Sequence, residues 1–366
     1  MKKENLYVDI HVLQTVPSAN INRDDAGSPK TAVYGGVVRA RVSSQSWKRA
    51  VRTSFREESE GASWLEGHRT RRAAYLLAEK LAEKDSSFDE NSALEKAVDV
   101  LKEAGIKTAK DKKTGEMLTG ALLLISSGQL EKIADYVVNN DELDKKELKK
   151  VLTGNQSLDL ALFGRMVADD PELNVDASAQ VAHAISTHEI VPEFDYFTAL
   201  DDDSAADNAG SAMIGTVEYN SSTLYRYANV NFNELTHNLG DELAVEGAKL
   251  FIKNFVMTMP TGKQNTFANK TLPQYVMVTI RKDTPVNLVS AFEEPVKSRD
   301  GYIVPSIKKL EDEFKDTLQF VEKPVLTEVL TKKGSSLLGD TDSLGELLEK
   351  VGDVLRKEGA YESSND

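Results

Sequence analysis

Residues 22–56 place Arg23, Lys30, Arg39, Arg41, Lys48, Arg49, Arg52 and Arg56 against only Asp24 and Asp25. Eight cations against two carboxylates give +6 in 35 residues, whereas the whole chain carries 45 basic and 59 acidic side chains, a net of −14. Cations kept together in an acidic chain suit a specific polyanion site, because guanidinium and ammonium groups neutralise phosphates without reading base edges. The alternative is a solvated basic face, which runs of like charge commonly are.

Other candidates for chemistry are sparse. Cysteine is absent, which removes disulfides, thiolate metal sites and thiol catalysis. Of the five histidines, His183 and His188 make the best acid–base or metal pair. Read on a helix, they project about 140° apart, unlike the i, i+4 pair of a zinc helix, so a packed or capping role is expected. Asp24 and Asp25 follow Arg23, and their carboxylates can either orient that arginine or serve a metal. The acidic run 201–203 reads as a solvated hairpin tip, with a Mg²⁺ site as the alternative. Lys263 follows Gly262 in the loop after Pro260, where backbone can come close to a phosphate, yet the pair matches no Walker pattern. Lys145, Lys146, Lys149 and Lys150 share one predicted helix with Glu147. No cofactor or resident metal is expected, and no catalytic residue is assigned.

Elements that position these groups follow from periodicity. Leu6, Val8, Ile10 and Val12 alternate with Tyr7, Asp9 and His11, which predicts a strand with one apolar and one mixed face. Residues 37–42 alternate again, with Arg39 and Arg41 on the face opposite Val38, Ala40 and Val42. Ser43 or Ser44 then caps a helix whose inner stripe is Trp47, Ala50, Val51, Ser54 and Phe55, with Lys48, Arg52 and Arg56 recurring every fourth residue outside it. The helix N-terminus adds partial positive charge beside the strand arginines. Residues 61–154 read as helical over 73–84, 92–104, 121–139 and 141–152, with a charged turn at 111–115. Short helices are expected over 158–168 and 177–190. Residues 193–200 and 211–219 predict a β-hairpin, 224–232 a further strand, 241–257 an amphipathic helix and 274–281 a strand. The region 306–354 mixes short helices and turns. No apolar run reaches the ~18 residues of a membrane span and the N-terminus lacks a signal pattern, so a cytoplasmic protein with no membrane partner is expected.

The segment R-V-S-S-Q-S-W-K-R-A-V-R over 41–52 resembles the signature of the CasC family, the backbone subunit of the type I-E CRISPR surveillance complex called Cascade. Matching order and spacing continue in I-H-V-L from Ile10, N-R-D-D from Asn22, G-G from Gly35, L-F-G-R-M from Leu162, A-H-A-I-S-T-H from Ala182, D-Y-F-T-A from Asp195 and Y-R-Y-A-N-V-N from Tyr225. Together they span most of the chain up to Phe292 and weaken beyond Glu293.

That resemblance implies an α+β fold: an RRM-like (RAMP) palm with a helical fingers insertion and a β-hairpin thumb. The corresponding division is 1–60 palm, 61–154 fingers, 155–192 palm, 193–219 thumb, and 220–366 palm with the C-terminal region. It further implies a non-catalytic subunit that polymerises head-to-tail along a CRISPR RNA, grips its phosphates, kinks it periodically and presents it to target DNA in antiviral defence. Partners would be the CRISPR RNA, further copies of the chain, the guide-processing nuclease and the large and small subunits. By motif position, Asn22, Arg23, Ser43, Gln45, Lys48, Arg49 and Arg52 line the guide groove, joined on the residue reading by Arg39, Arg41 and Lys263. Met166, Tyr196, Phe197 and Thr198 wedge at the kink. Tyr196 and Phe197 are adjacent, so on a strand only one can stack on a base while the other packs on protein. The four lysines over 145–150 resemble a basic patch facing target DNA, with a solvated helix face shared with Glu142 and Glu147 as the alternative. Two rival readings stay open: a metal-dependent RAMP-type endoribonuclease using Asp24 or Asp25, and an acidic scaffold with no nucleic-acid role.

Overall fold

In the computed structural model the described residues are 5–140, 142–167, 170–199, 213–335, 337 and 341–363. In chain order the elements are β1 (Tyr7–Ala19), β2 (Thr31–Tyr34), β3 (Val37–Val42), α1 (Ser44–Glu57), β4 (Gly67–Thr70), α2 (Ala73–Lys84), α3 (Glu90–Glu103), β5 (Thr108–Lys110), β6 (Met117–Thr119), β7 (Leu123–Ser126), α4 (Ser127–Asn139), α5 (Lys145–Thr153) and α6 (Leu158–Phe163). There follow β8 (Ala179–Val181), β9 (Ala184–Ser186), β10 (Glu193–Ala199), β11 (Met213–Asn231), α7 (Phe232–Leu239), α8 (Asp241–Met257), α9 (Gln264–Phe267), β12 (Tyr275–Arg281), α10 (Ile303–Thr317), β13 (Leu326–Thr331) and α11 (Leu344–Ser363). The fold is α+β and RRM-like.

Contacts divide the chain into two compact units: residues 1–51, 181–229 and 251–354, and residues 52–180, 230–250 and 355–366. The first unit is built on a sheet ordered β13-β12-β1-β11-β9-β3-β2, with β10 and β8 pairing β11 off that path. β1 lies between β12 and β11, and its residues 8–14 are buried without alternation, so both faces are covered and the alternation in its sequence does not mark a wet side. Helix α1 docks on this unit through Trp47, whose ring lies 3.7 Å from the Arg226 guanidinium. Arg226 is buried, stacks also on Phe255, and donates to Gln14 Oε1 at 2.6 Å and to the Phe255 carbonyl.

In the second unit, α2, α3, α4 and α5 share one core that includes Leu77, Leu81, Leu101, Ile133, Leu148 and Leu152. This stretch is less helical than its periodicity predicts: β4 pairs β7, and β5 pairs β6 around the turn at 111–115. Residues 123–126 form a strand and α4 begins only at Ser127, because Ser126 and Gln129 make a reciprocal capping box that stops the helix there. Residues 177–190 are also corrected. They contain β8 and β9, each three residues long, and no helix. The C-terminal region holds two full helices, α10 and α11, around β13. The acidic run 201–203 lies outside the described residues.

Burial of β1 has a pH consequence. Asp9 accepts from Tyr227 Oη at 2.7 Å and from the Val286 amide at 3.1 Å, with Arg281 Nε 3.5 Å away. Burial outweighs these partners and raises the Asp9 carboxyl from 3.8 to about 7. His11, bonded through Nδ1 to Tyr225 Oη at 2.9 Å, is driven by burial, and then by Arg281, from 6.5 down to about 3. A raised acid contributes stability that is full below its unfolded pKa and is lost as pH rises through about 7. The depressed histidine contributes stability that is full above 6.5 and is lost as pH falls toward about 3. Between pH 4 and pH 6.5 the two slopes oppose. His11→Gln should therefore expose the Asp9 slope, with stability rising on acidification by roughly 1 kcal/mol per pH unit, and Asp9→Asn the reverse slope. Urea midpoints measured across that window check this; parallel profiles for the two variants would contradict it.

Candidate nucleic-acid interface

The first turn of α1 is held by three hydrogen bonds from two side chains within the first unit. Asn22 acts as a clip: its Oδ1 accepts the Ser43 amide at 2.8 Å and its Nδ2 donates to Ser46 Oγ at 3.0 Å. The Ser44 amide donates to His183 Nδ1 at 3.3 Å. The loop carrying Asn22 closes on itself, with Lys30 N donating to Asn22 O at 2.8 Å and Arg23 bridged to Pro29. Asp24 belongs to this closure, since its Oδ1 accepts the Ser28 amide at 3.0 Å. Asn20 Nδ2 reaches Gly27 O and Glu218 O, both at 2.9 Å, and so ties the loop to the foot of the β10–β11 hairpin.

The Gly262–Lys263 loop reaches the same place. A Cβ on Gly262 would lie 2.3 Å from Ile21 O, so only glycine permits this approach, which sets Lys263 beside the Asn22 loop. Arg23, Gln45 and Arg49 are exposed here, while Lys30, Arg41, Lys48 and Lys263 are half-buried. Arg41 Nε donates to Thr31 O at 3.0 Å, which anchors its stem to the edge strand β2. Partial burial holds the Lys48 ammonium below its usual pKa. No acidic residue stands in the first turn of α1. These observations describe a cationic ledge along the end of β3, the start of α1 and the two loops beside them.

Several sequence expectations are corrected. Arg39 is not on the ledge. It is 0% exposed, and donates to the carbonyls of Tyr34 at 3.1 Å, Ser186 at 2.9 Å and Phe292 at 2.8 Å. Alternation placed it beside Arg41, but the segment around Glu293 covers it, packing so closely that a Cβ on Gly35 would overlap Glu293 O. Ser43 is buried, which withdraws its hydroxyl. Asn22 has both ends of its carboxamide engaged by α1, so its part is to set the shape of the ledge. Arg52, in the second unit, pairs with the buried Asp159 carboxylate at 2.7 Å. Its charge is balanced inside the chain and does not add to the ledge. Lys149 is likewise paired with Asp170 at 2.6 Å and Glu172 at 2.5 Å. Of its neighbours, Lys145 and Lys146 are exposed, and Lys150 lies 3.8 Å from Glu147.

The wedge candidates separate by environment. In the hairpin, Phe197 faces Gly215 across the register, and its ring occupies the space a Cβ there would need. Tyr196 points to the opposite face and is 65% exposed, beside exposed Phe194, Thr198 and Ile214. Met166 is 82% exposed in the second unit. Its position is stiffened by Arg165, a buried arginine that donates to Leu173 O at 2.9 Å and Leu152 O at 2.6 Å. Burial lowers the Arg165 pKa to about 10.

His188 is a packed residue. Its ring stacks on Tyr302 at 3.6 Å and its Nε2 accepts the Thr223 amide at 3.0 Å. His183 lies apart, on the ledge, so the two do not form a pair. Among the described residues no group of three or more His, Asp or Glu side chains is arranged to hold a metal ion, and no helix is long and apolar enough to cross a membrane. Sequence reasoning passed over Asn20, named Lys30 only as part of the basic cluster, and weighed His183 only for acid–base or metal chemistry. The signal available for Asn20 and Lys30 was their place at the two ends of the N-R-D-D loop.

Comparisons with known proteins bear on the family and the fold. Searching curated proteins gives no match. Among solved structures, a chain titled "CRISPR RNA-guided surveillance complex, pre-nicking" is 33% identical, with a TM-score of 0.84, covering 95% of this chain and 100% of its own. Another, titled "CRISPR RNA-guided surveillance complex", is 30% identical with a TM-score of 0.74, covering 95% of this chain and 99% of its own. A sequence profile for CT1975-like proteins matches residues 8–351, nearly the whole length that builds the ledge and its hairpin, and the chain therefore belongs to the CT1975-like protein family.

Proposed function

We propose that this chain is the guide-binding backbone subunit of a type I-E Cascade complex: a non-catalytic protein that stacks head-to-tail along a CRISPR RNA and presents it to target DNA. The observation that carries the reading is the ledge itself. It offers cations and backbone in a shape fixed by Asn22 and Gly262, without an acidic residue at the helix start. Such a surface holds phosphate and sugar and leaves base edges free, as a guide whose sequence varies demands. Repeated heterologous contacts extend along a polymer instead of closing a ring, which suits copies matched to RNA length. Similarity to chains of RNA-guided surveillance complexes supports the same partner, and assembly with the nuclease, large and small subunits of such a complex is part of the proposal. Lys145 and Lys146 remain the candidates for contact with target DNA.

Sizing the protein by sedimentation on single-stranded RNAs of increasing length, with and without magnesium, tests this reading. The expected result is a mass that grows stepwise with RNA length, and RNA recovered intact in both conditions. A fixed stoichiometry would contradict stacking. Magnesium-dependent cleavage abolished by Asp24→Asn or Asp25→Asn would replace this reading with the endoribonuclease.

The hairpin separates its two aromatics. Tyr196 presents an exposed ring, and base stacking on an aromatic contributes about 1–3 kcal/mol. Tyr196→Ala should therefore weaken RNA binding by about tenfold or more and leave the melting temperature unchanged. Phe197→Ala should instead expose Gly215 and loosen the hairpin. Thermal melts beside RNA titrations distinguish them; equal effects on both readouts would contradict the division.

A further inference from the structure

His183 sits on the ledge with its protonation state dictated by its neighbours. Its Nδ1 faces the Ser44 amide at 3.3 Å and Arg41 Nη1 at 3.5 Å. Both are donors without acceptor capacity, so Nδ1 must carry the lone pair and the proton must sit on Nε2. Partial desolvation, and then the Arg41 and Lys30 cations that face the ring, hold its pKa below the ordinary histidine value. At neutral pH the ring is thus uncharged and locked in one tautomer. His183 is exposed, and imidazole geometry directs Nε2–H away from the two groups bound at Nδ1, toward the surface.

We propose that His183 is an RNA-binding residue of this ledge, donating its fixed Nε2–H to a phosphate oxygen of the guide. The inference rests on the reading of the ledge as the RNA site. Phosphate is the acceptor that fits, because Arg41, Lys30 and the start of α1 surround the ring with positive potential. A neutral donor of fixed direction adds geometry where Arg41 and Lys48 add mainly charge. It also explains why the sequence carries a histidine in a position where a lysine or arginine would repel Arg41 and the helix start.

The test compares His183→Ala, His183→Gln and Arg41→Ala in titrations with a mixed-sequence single-stranded RNA and with DNA of the same sequence. Glutamine can accept the Ser44 amide through Oε1 and donate through Nε2, so it should bind within about threefold of the wild type. Alanine should bind about tenfold more weakly, the usual size for a lost hydrogen bond to a charged group. The alanine deficit should be equal on RNA and DNA; a deficit confined to RNA would move the contact to the 2′-hydroxyl and overturn the phosphate assignment. In the ¹⁵N-histidine spectrum the free protein should show the Nε2–H tautomer at His183, with Nε2 shifting on RNA addition. An unmoved Nε2 resonance would mean that the ring only caps α1. If Arg41→Ala weakens binding and His183→Ala does not, this inference fails alone. If the wild type binds no RNA, the reading of the ledge fails with it.

Discussion

Arg39→Ala is expected to destabilise the protein by about 3–5 kcal/mol, the range for leaving a buried polar network without its charged centre. The guanidinium is the hub for the carbonyls of Tyr34, Ser186 and Phe292, groups that come from three distant parts of the chain. Removing it orphans the Ser186 and Phe292 carbonyls in buried positions, and each buried acceptor left unpaired costs about 1–3 kcal/mol. Arg39→Lys should recover little, because one ammonium cannot reproduce a planar fork aimed at several oxygens. Denaturant unfolding of both variants checks this. A loss below about 1 kcal/mol, or RNA affinity reduced without any loss of stability, would put Arg39 back on the ledge.

Arg41 should behave in the opposite way. Neutralising Arg23, Arg41 and Lys48 together is expected to leave the melting temperature nearly unchanged while RNA affinity falls at least a hundredfold. Arg23 is exposed and Arg41 and Lys48 are half-buried at the surface, so no core network collapses. Taking three cations away from the phosphates of a single strand should also lower the slope of log affinity against log salt by about 2. The weakening should be uniform across RNA sequences, since none of these groups is arranged to read bases. A deficit that depends on sequence, or a salt slope that does not change, would contradict phosphate gripping.

The contrast between Arg39 and Arg41 shows what local sequence carries and what it leaves out. Both alternate with valine and alanine on β3, and period two places them on one face. Their fates diverge because Phe292 and Glu293, from a remote part of the chain, cover Arg39, while Arg41 stays half-buried at the surface. Charge count could not see that cover. Arg52 and Lys149 were misread for the same reason: Asp159 and Asp170 neutralise them through tertiary contacts. Where the local signal is long it was sufficient. Helix α1 buries Trp47, Val51 and Phe55 as its spacing requires, and α8 occupies 241–257 as expected. Strands β8 and β9 were missed because three residues leave no room for a period-two pattern to declare itself. The break before α4 was legible in Ser126 and Gln129, a capping pair hidden inside an otherwise continuous apolar run.

The hairpin was legible as a hairpin, and adjacency alone required Tyr196 and Phe197 to part company. Which of them packs depended on Gly215, the residue opposite Phe197 in the register. Sequence could not supply that pairing without knowing where the turn falls.

The most direct measurement of the central claim is the equilibrium binding of the full chain to two single-stranded RNAs of unrelated sequence across a salt series. Gripping by phosphates predicts the same steep linear decline of log affinity with log salt for both RNAs, and affinities within a few-fold of each other at every salt concentration. Binding that ignores salt, or that strongly prefers one sequence, would contradict it.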